Sequence, residues 1–146
     1  MRLRFIVGVL VAAALGGAFA PALRGQAQAS VWDGVYTDEQ AGRGGTIYGQ
    51  SCASCHGDRL QGKHPTPALA GSGFKGNWNG ETVDDLFEKI QTSMPADKPG
   101  QLSRQQNADV LAFILKFNEF PTGKEDLPVE AGKLKQIRFD AERPGK

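Results

Sequence analysis

The chain has 146 residues, with 17 lysines and arginines against 16 aspartates and glutamates, and only two cysteines and two histidines. Three of the cations, Arg2, Arg4 and Arg24, fall within the first 29 residues, so the remainder carries fourteen cations against sixteen anions, a net charge of −2. That length holds one small core and no second domain, and no basic block is dense enough to track a phosphate backbone, which argues against nucleic acid as a partner.

The N-terminus carries two arginines, an apolar run from Phe5 to Ala20 and a small-residue site at Ala27-Gln28-Ala29. These are the basic, apolar and cleavage regions of an export signal in order, and they predict a cut after Ala29 and a periplasmic product. The alternative is an uncleaved anchor from Phe5 to Leu23, weakened by its glycines and Pro21; membrane association is expected only in that case. Residues 1–29 are therefore set apart from the folded domain, expected at 30–121.

Thr37-Asp38-Glu39-Gln40 reads as a capping box and predicts a helix from Asp38 to Gln50 that delivers Cys52. Gly44 and Tyr48 share a face of it, where a second helix could approach closely under an aromatic ring; ordinary weak patterning is the plainer reading. From Gly57 to Gly80 the chain is glycine-rich, holds Pro65 and Pro67 and keeps no period. So long a loop is uncommon in a compact domain unless a large prosthetic group gives it a surface to wrap.

Thr82-Val83-Asp84-Asp85 starts a second helix, with Val83, Leu86, Phe87 and Ile90 at helical spacing and a stop near Ser93 before Met94-Pro95. Ser103-Arg104-Gln105-Gln106 caps a third, whose apolar face is Val110, Leu111, Phe113, Ile114 and Phe117 and which ends near Asn118. No segment alternates as a strand would. Residues 122–146 form a charged C-terminal extension that retains Leu127, Val129, Leu134, Ile137 and Phe139. A short docking helix is expected over Glu130 to Ile137, with disorder beyond Asp140. The expected fold is all-α, three to four main helices with long loops.

Cys52-Ala53-Ser54-Cys55-His56 contains both cysteines of the chain. Two thiols two residues apart on a helical turn can each form a thioether to one vinyl group on the same porphyrin edge, and the adjacent imidazole then rises to the iron. Other readings fit less well. A disulfide here closes almost no loop; a dithiol redox pair lacks its strand-then-helix setting; zinc lacks further ligands, and His64 alone is a poor complement. A second axial ligand would be Met94, the one methionine after residue 29, 38 residues beyond His56. Core filling is the alternative role for a methionine. His64 is too close to His56 to reach the opposite face and is expected in solvent.

Together these residues resemble a class I monohaem cytochrome c over about Gln40 to Pro121. The resemblance implies one haem c held by Cys52 and Cys55, with His56 and Met94 on the iron. Gly44 and Tyr48 fall on the family's glycine and aromatic before the first cysteine, which implies that they cross the C-terminal helix near Val110 and Phe113. Pro67-Ala68-Leu69-Ala70-Gly71 matches a Pro-x-Leu-x-Gly element. In it the Pro67 carbonyl is expected to accept a hydrogen bond from His56 Nδ1, and Leu69 to pack on the haem face. Trp78 is expected to hydrogen-bond a haem propionate, unless it is simply a half-buried loop tryptophan. Several stretches are similar to cytochromes associated with quinoprotein (pyrroloquinoline-quinone) alcohol dehydrogenases.

The function so implied is single-electron carriage from a donor such as a quinoprotein dehydrogenase or quinol complex to an acceptor such as a terminal oxidase. Two other readings stay open: a haem catalyst of peroxidase-like or small-ligand-binding type with a displaceable sixth ligand, and a haem subunit of a larger dehydrogenase complex.

Overall fold

The structure, a computed structural model, describes residues 28–145. Almost all of the expected export signal lies outside the described residues. The elements in order are strand β1 (Ala29–Ser30), a 3-10 turn at Val31–Asp33, and helices α1 (Asp38–Ser51), α2 (Ala53–His56), α3 (Gly71–Trp78), α4 (Val83–Ser93), α5 (Arg104–Phe117) and α6 (Ala131–Leu134). Strand β2 (Ile137–Arg138) follows. The architecture is all-α, with α1, α3, α4 and α5 as its main helices.

The three long helices begin where the sequence places them. Ser103 and Gln106 close a full capping box on α5, as Thr82 and Asp85 do on α4. At α1 only half of the expected box forms: the Thr37 hydroxyl accepts from the Gln40 N–H. The Gln40 side chain is buried instead, donating to the Leu127 carbonyl at 3.2 Å and accepting from the Leu127 N–H at 2.6 Å. Two buried backbone groups of the C-terminal extension need partners, and satisfying them outweighs a solvent-exposed cap.

Helices α1 and α5 form the most extensive contact between elements. They cross where Gly44 lies against the backbone of Asp109 and Val110, so closely that a Cβ at Gly44 would overlap the Asp109 carbonyl. Gly45 leaves space for the Phe113 ring, and Tyr48 packs on that ring with centroids 5.1 Å apart. Beside the crossing, Arg43 holds Asp109 through two hydrogen bonds of 3.1 Å.

The extension departs most from expectation. Leu127, Leu134, Ile137 and Phe139 are buried members of the main core. Its helix is shorter than predicted, only Ala131–Leu134, because the chain then straightens into β2, which pairs in parallel with β1: Ala29 with Ile137 and Ser30 with Arg138. This strand pair was not expected; two residues are too few to alternate. Order also continues past Asp140. The Asp140 carbonyl accepts from Trp32 Nε1 at 2.9 Å, the Ala141 N–H donates to Asn79 Oδ1 at 2.8 Å, and Arg143 lies over the Trp32 ring. The predicted 57–80 loop in turn contains α3. Its three glycines argue against a helix on propensity, but Phe74 is buried edge-on against Phe139 of the extension, which holds it in place.

The crossing predicts opposite signs for two glycines of α1. Gly44→Ala should destabilise the protein by about 2–3 kcal/mol through overpacking. Gly42→Ala, where an added Cβ meets nothing, should stabilise it by up to ~1 kcal/mol through helix propensity. Thermal unfolding of the two variants checks this.

Candidate functional site

Helix α1 ends at Ser51, and Cys52 is at once its C-cap and the N-cap of α2. The Cys55 and His56 N–H groups both donate to the Cys52 carbonyl, at 3.1 and 2.9 Å, so the two cysteines and the histidine share one tight turn. Both thiols are free; Cys52 is half-buried and Cys55 exposed. Burial, and then the neighbouring Cys55, push the Cys52 thiol up to about 11. A catalytic dithiol works through a lowered thiol pKa, and the shift at Cys52 runs the other way.

His56 is only 7 % exposed. Its Nδ1 lies 2.9 Å from the Pro67 carbonyl. A carbonyl can only accept, so Nδ1 carries a proton, and in the neutral ring Nε2 is the nitrogen with a lone pair for a ligand bond. The turn is closed at two further points: Tyr48 Oη donates to the Gly57 carbonyl at 2.7 Å, and the Gly62 N–H donates to the His56 carbonyl at 2.7 Å. Leu69 follows Pro67, its N–H donating to the Leu60 carbonyl at 2.8 Å, and His64 is exposed. Trp78 ends α3 and Met94 is the C-cap of α4. Cys52, Leu69, Trp78 and Met94 are all half-buried and pack against the one core. Among the described residues, no three His, Cys, Asp or Glu side chains gather as a metal-holding group.

Sequence reasoning missed Asn118. Buried at the C-terminal end of α5, it hydrogen-bonds through Nδ2 to the Leu69 carbonyl and through Oδ1 to the Gly71 N–H. The only signal was its place at a helix end, which said nothing of the segment it grips.

The family model described as cytochrome C oxidase, cbb3-type, subunit III matches residues 39–114, just over half of the chain. The chain belongs to this family. It is a c-type cytochrome, and membership brings a covalently bound haem c and haem-based electron transfer. The donor set fits that group: two unpaired thiols on one turn, at the spacing thioether attachment requires, followed by an imidazole whose Nε2 is free to bind. Among solved structures the chain is similar to the sulfane dehydrogenase SoxCD from Paracoccus pantotrophus, with a TM-score of 0.49 and 21% identity. That match covers 73% of this chain and 61% of the other, so this cytochrome spans less than two thirds of its length. No curated protein matches.

The buried phenols predict an alkaline limit. Burial is the main cause that pushes both Tyr48 and Tyr36 up to about 12, from an unfolded value of about 10. Each must stay neutral to donate, Tyr48 to Gly57 and Tyr36 to Phe120. The stability they contribute is therefore complete below about pH 10 and lost as pH rises through about 12. Denaturant unfolding across that window should show the fall, and Tyr48→Phe should make it shallower.

Proposed function

We propose that this cytochrome is a periplasmic single-electron carrier whose haem iron is bound by His56 Nε2 on one face and Met94 Sδ on the other. The observation that supports it most is the His56 ring itself: buried, with its proton fixed on Nδ1 by Pro67 and its other nitrogen unpaired by that bond. Hydrogen bonding to Pro67 fixes the ring plane and makes Nε2 a better donor. Met94 supports the second ligand. Helix α4 holds it through the bond from the Met94 N–H to the Ile90 carbonyl at 3.0 Å, at the boundary between core and surface.

A haem with both axial positions filled exchanges electrons through its edge, with no coordination site left for substrate. The protein's task is then to exclude water and hold both ligands still through a change of one charge. The exposure of Cys55 supports an attached edge that meets solvent on that side. Donors of the quinoprotein dehydrogenase or quinol-complex kind and an acceptor such as a terminal oxidase would dock there through a small, quickly released contact.

Export is part of the same reading. A cut after Ala29 would leave the Ser30 amino group beside Asp33, whose Oδ2 already accepts from the Ser30 N–H at 2.7 Å. It would remove the bonds from the Ala29 N–H to the Gln136 carbonyl and from Gln28 Nε2 to the Lys135 carbonyl, and with them the pairing of Ala29 with Ile137. A second reading, a haem subunit held in a larger assembly, draws on the family's description as an oxidase subunit. Purification of the native protein at one chain per particle would favour the carrier; co-migration with larger chains would favour the subunit.

Replacing both Cys52 and Cys55 with Ala should abolish covalent haem, read as loss of the mass increment that survives denaturation. Met94→Ala should lower the reduction potential by on the order of 0.1 V, within the ~0.8 V range that axial ligands set, and open the iron to carbon monoxide. An unchanged ferrous spectrum in that variant would show another residue on the iron.

A further inference from the structure

Asn118 is 5 % exposed, and every hydrogen-bonding group of its amide is engaged. Nδ2 donates to the Leu69 carbonyl at 2.9 Å and to the Ile114 carbonyl at 2.9 Å; Oδ1 accepts from the Gly71 N–H at 3.0 Å. Two carbonyls on one side and an N–H on the other allow only this orientation of the amide. The Ile114 bond is all that ending α5 requires of the side chain. The other two reach 49 and 47 residues back along the chain, to the segment that begins with Pro67.

That segment has few other restraints. Among the described residues, the side chains that hydrogen-bond to residues 67–71 are those of His56 and Asn118. Leu69 is gripped at both backbone groups, its N–H by the Leu60 carbonyl and its carbonyl by Asn118. Pro67 has no N–H of its own to donate, so the direction of its carbonyl depends on what holds its neighbours. A closed circuit results. It runs from α1 through the Cys52–His56 turn, across the Nδ1–H to Pro67, along the chain to Leu69, across to Asn118, and back through α5 to the Gly44 crossing.

We propose that Asn118 is a positioning residue for the axial imidazole: its grip on Leu69 and Gly71 keeps the Pro67 carbonyl on the Nδ1–H of His56. The inference rests on the reading of His56 as an iron ligand. A well-aimed Pro67 carbonyl draws the Nδ1 proton, makes the ring more anionic and favours ferric iron. Loosening it favours ferrous iron.

The test uses the holo-protein and three variants. Asn118→Ser keeps a hydroxyl that can bond the Ile114 carbonyl but is too short for Leu69 and Gly71. Asn118→Ala removes all three bonds. Tyr36→Phe deletes the buried bond from Tyr36 Oη to the Phe120 carbonyl, which weakens the same chain end and leaves residues 67–71 untouched. The measurements are the melting temperature, the ferrous-to-ferric ratio at fixed ambient potential, and the His56 ring N–H resonance of the ferric protein.

All three variants should melt lower. Asn118→Ser and Asn118→Ala should also move the ratio towards ferrous by about threefold, ~28 mV at ~59 mV per decade for a one-electron couple, and shift the His56 N–H resonance. Tyr36→Phe should change neither. If Asn118→Ala yields no holo-protein, Asn118→Ser decides alone. Wild-type ratio and resonance in Asn118→Ser, with a lowered melting temperature, would make Asn118 a helix cap only and overturn the proposal. Absence of paramagnetic shift at the His56 ring of the wild-type protein would instead remove His56 from the iron, and the proposal with it.

Discussion

The near-contact of two helix backbones at Gly44 governs the rest of the molecule. Because α1 and α5 meet without an intervening side chain, their relative position is fixed by backbone atoms. Helix α1 leads directly into the turn that carries Cys52, Cys55 and His56, and α5 is capped by Asn118, which holds the segment facing His56. Widening the crossing by the width of a methyl group would shift both arms of the site together. Rotamer changes could absorb such a displacement at an ordinary interface, but here only the backbones could move.

The polar groups around the turn divide their work. Tyr48, Pro67 and the Gly62 N–H each bind an atom of residues 56 and 57, and together they fix the imidazole in position, plane and tautomer. Cys52, Leu69, Trp78 and Met94 are half-buried and pack against the core. With His56 as the proposed iron ligand, the polar anchors would keep the imidazole still while the charge on the iron changes.

Much of this could be read from the chain because local rules governed it. The Cys52-to-His56 spacing, the hydroxyl caps at Thr37, Thr82 and Ser103 and the stop before Pro95 each follow from residues within one turn of one another. The Gly44–Tyr48 face followed from helical spacing; likeness to a family set it near Val110 and Phe113 and aimed the Pro67 carbonyl at His56 Nδ1, and the geometry bears these contacts out. What escaped was set by partners far along the chain. Gln40 left its cap to serve Leu127, α3 formed in spite of its glycines because Phe74 met Phe139, and two residues paired as a strand because their partners are more than a hundred positions away. No periodicity encodes such encounters; they follow from the need to satisfy buried backbone and to fill the last space in the core.

The pairing of β1 with β2 also bears on the order in which the molecule can assemble. The cysteine turn is made early in synthesis, but α5, which braces it, comes some fifty residues later. Phe139, which closes the core over α3, arrives almost at the end. Until then the core that buries His56 is incomplete. A group joined to the two thiols before that point would meet a turn not yet braced from behind.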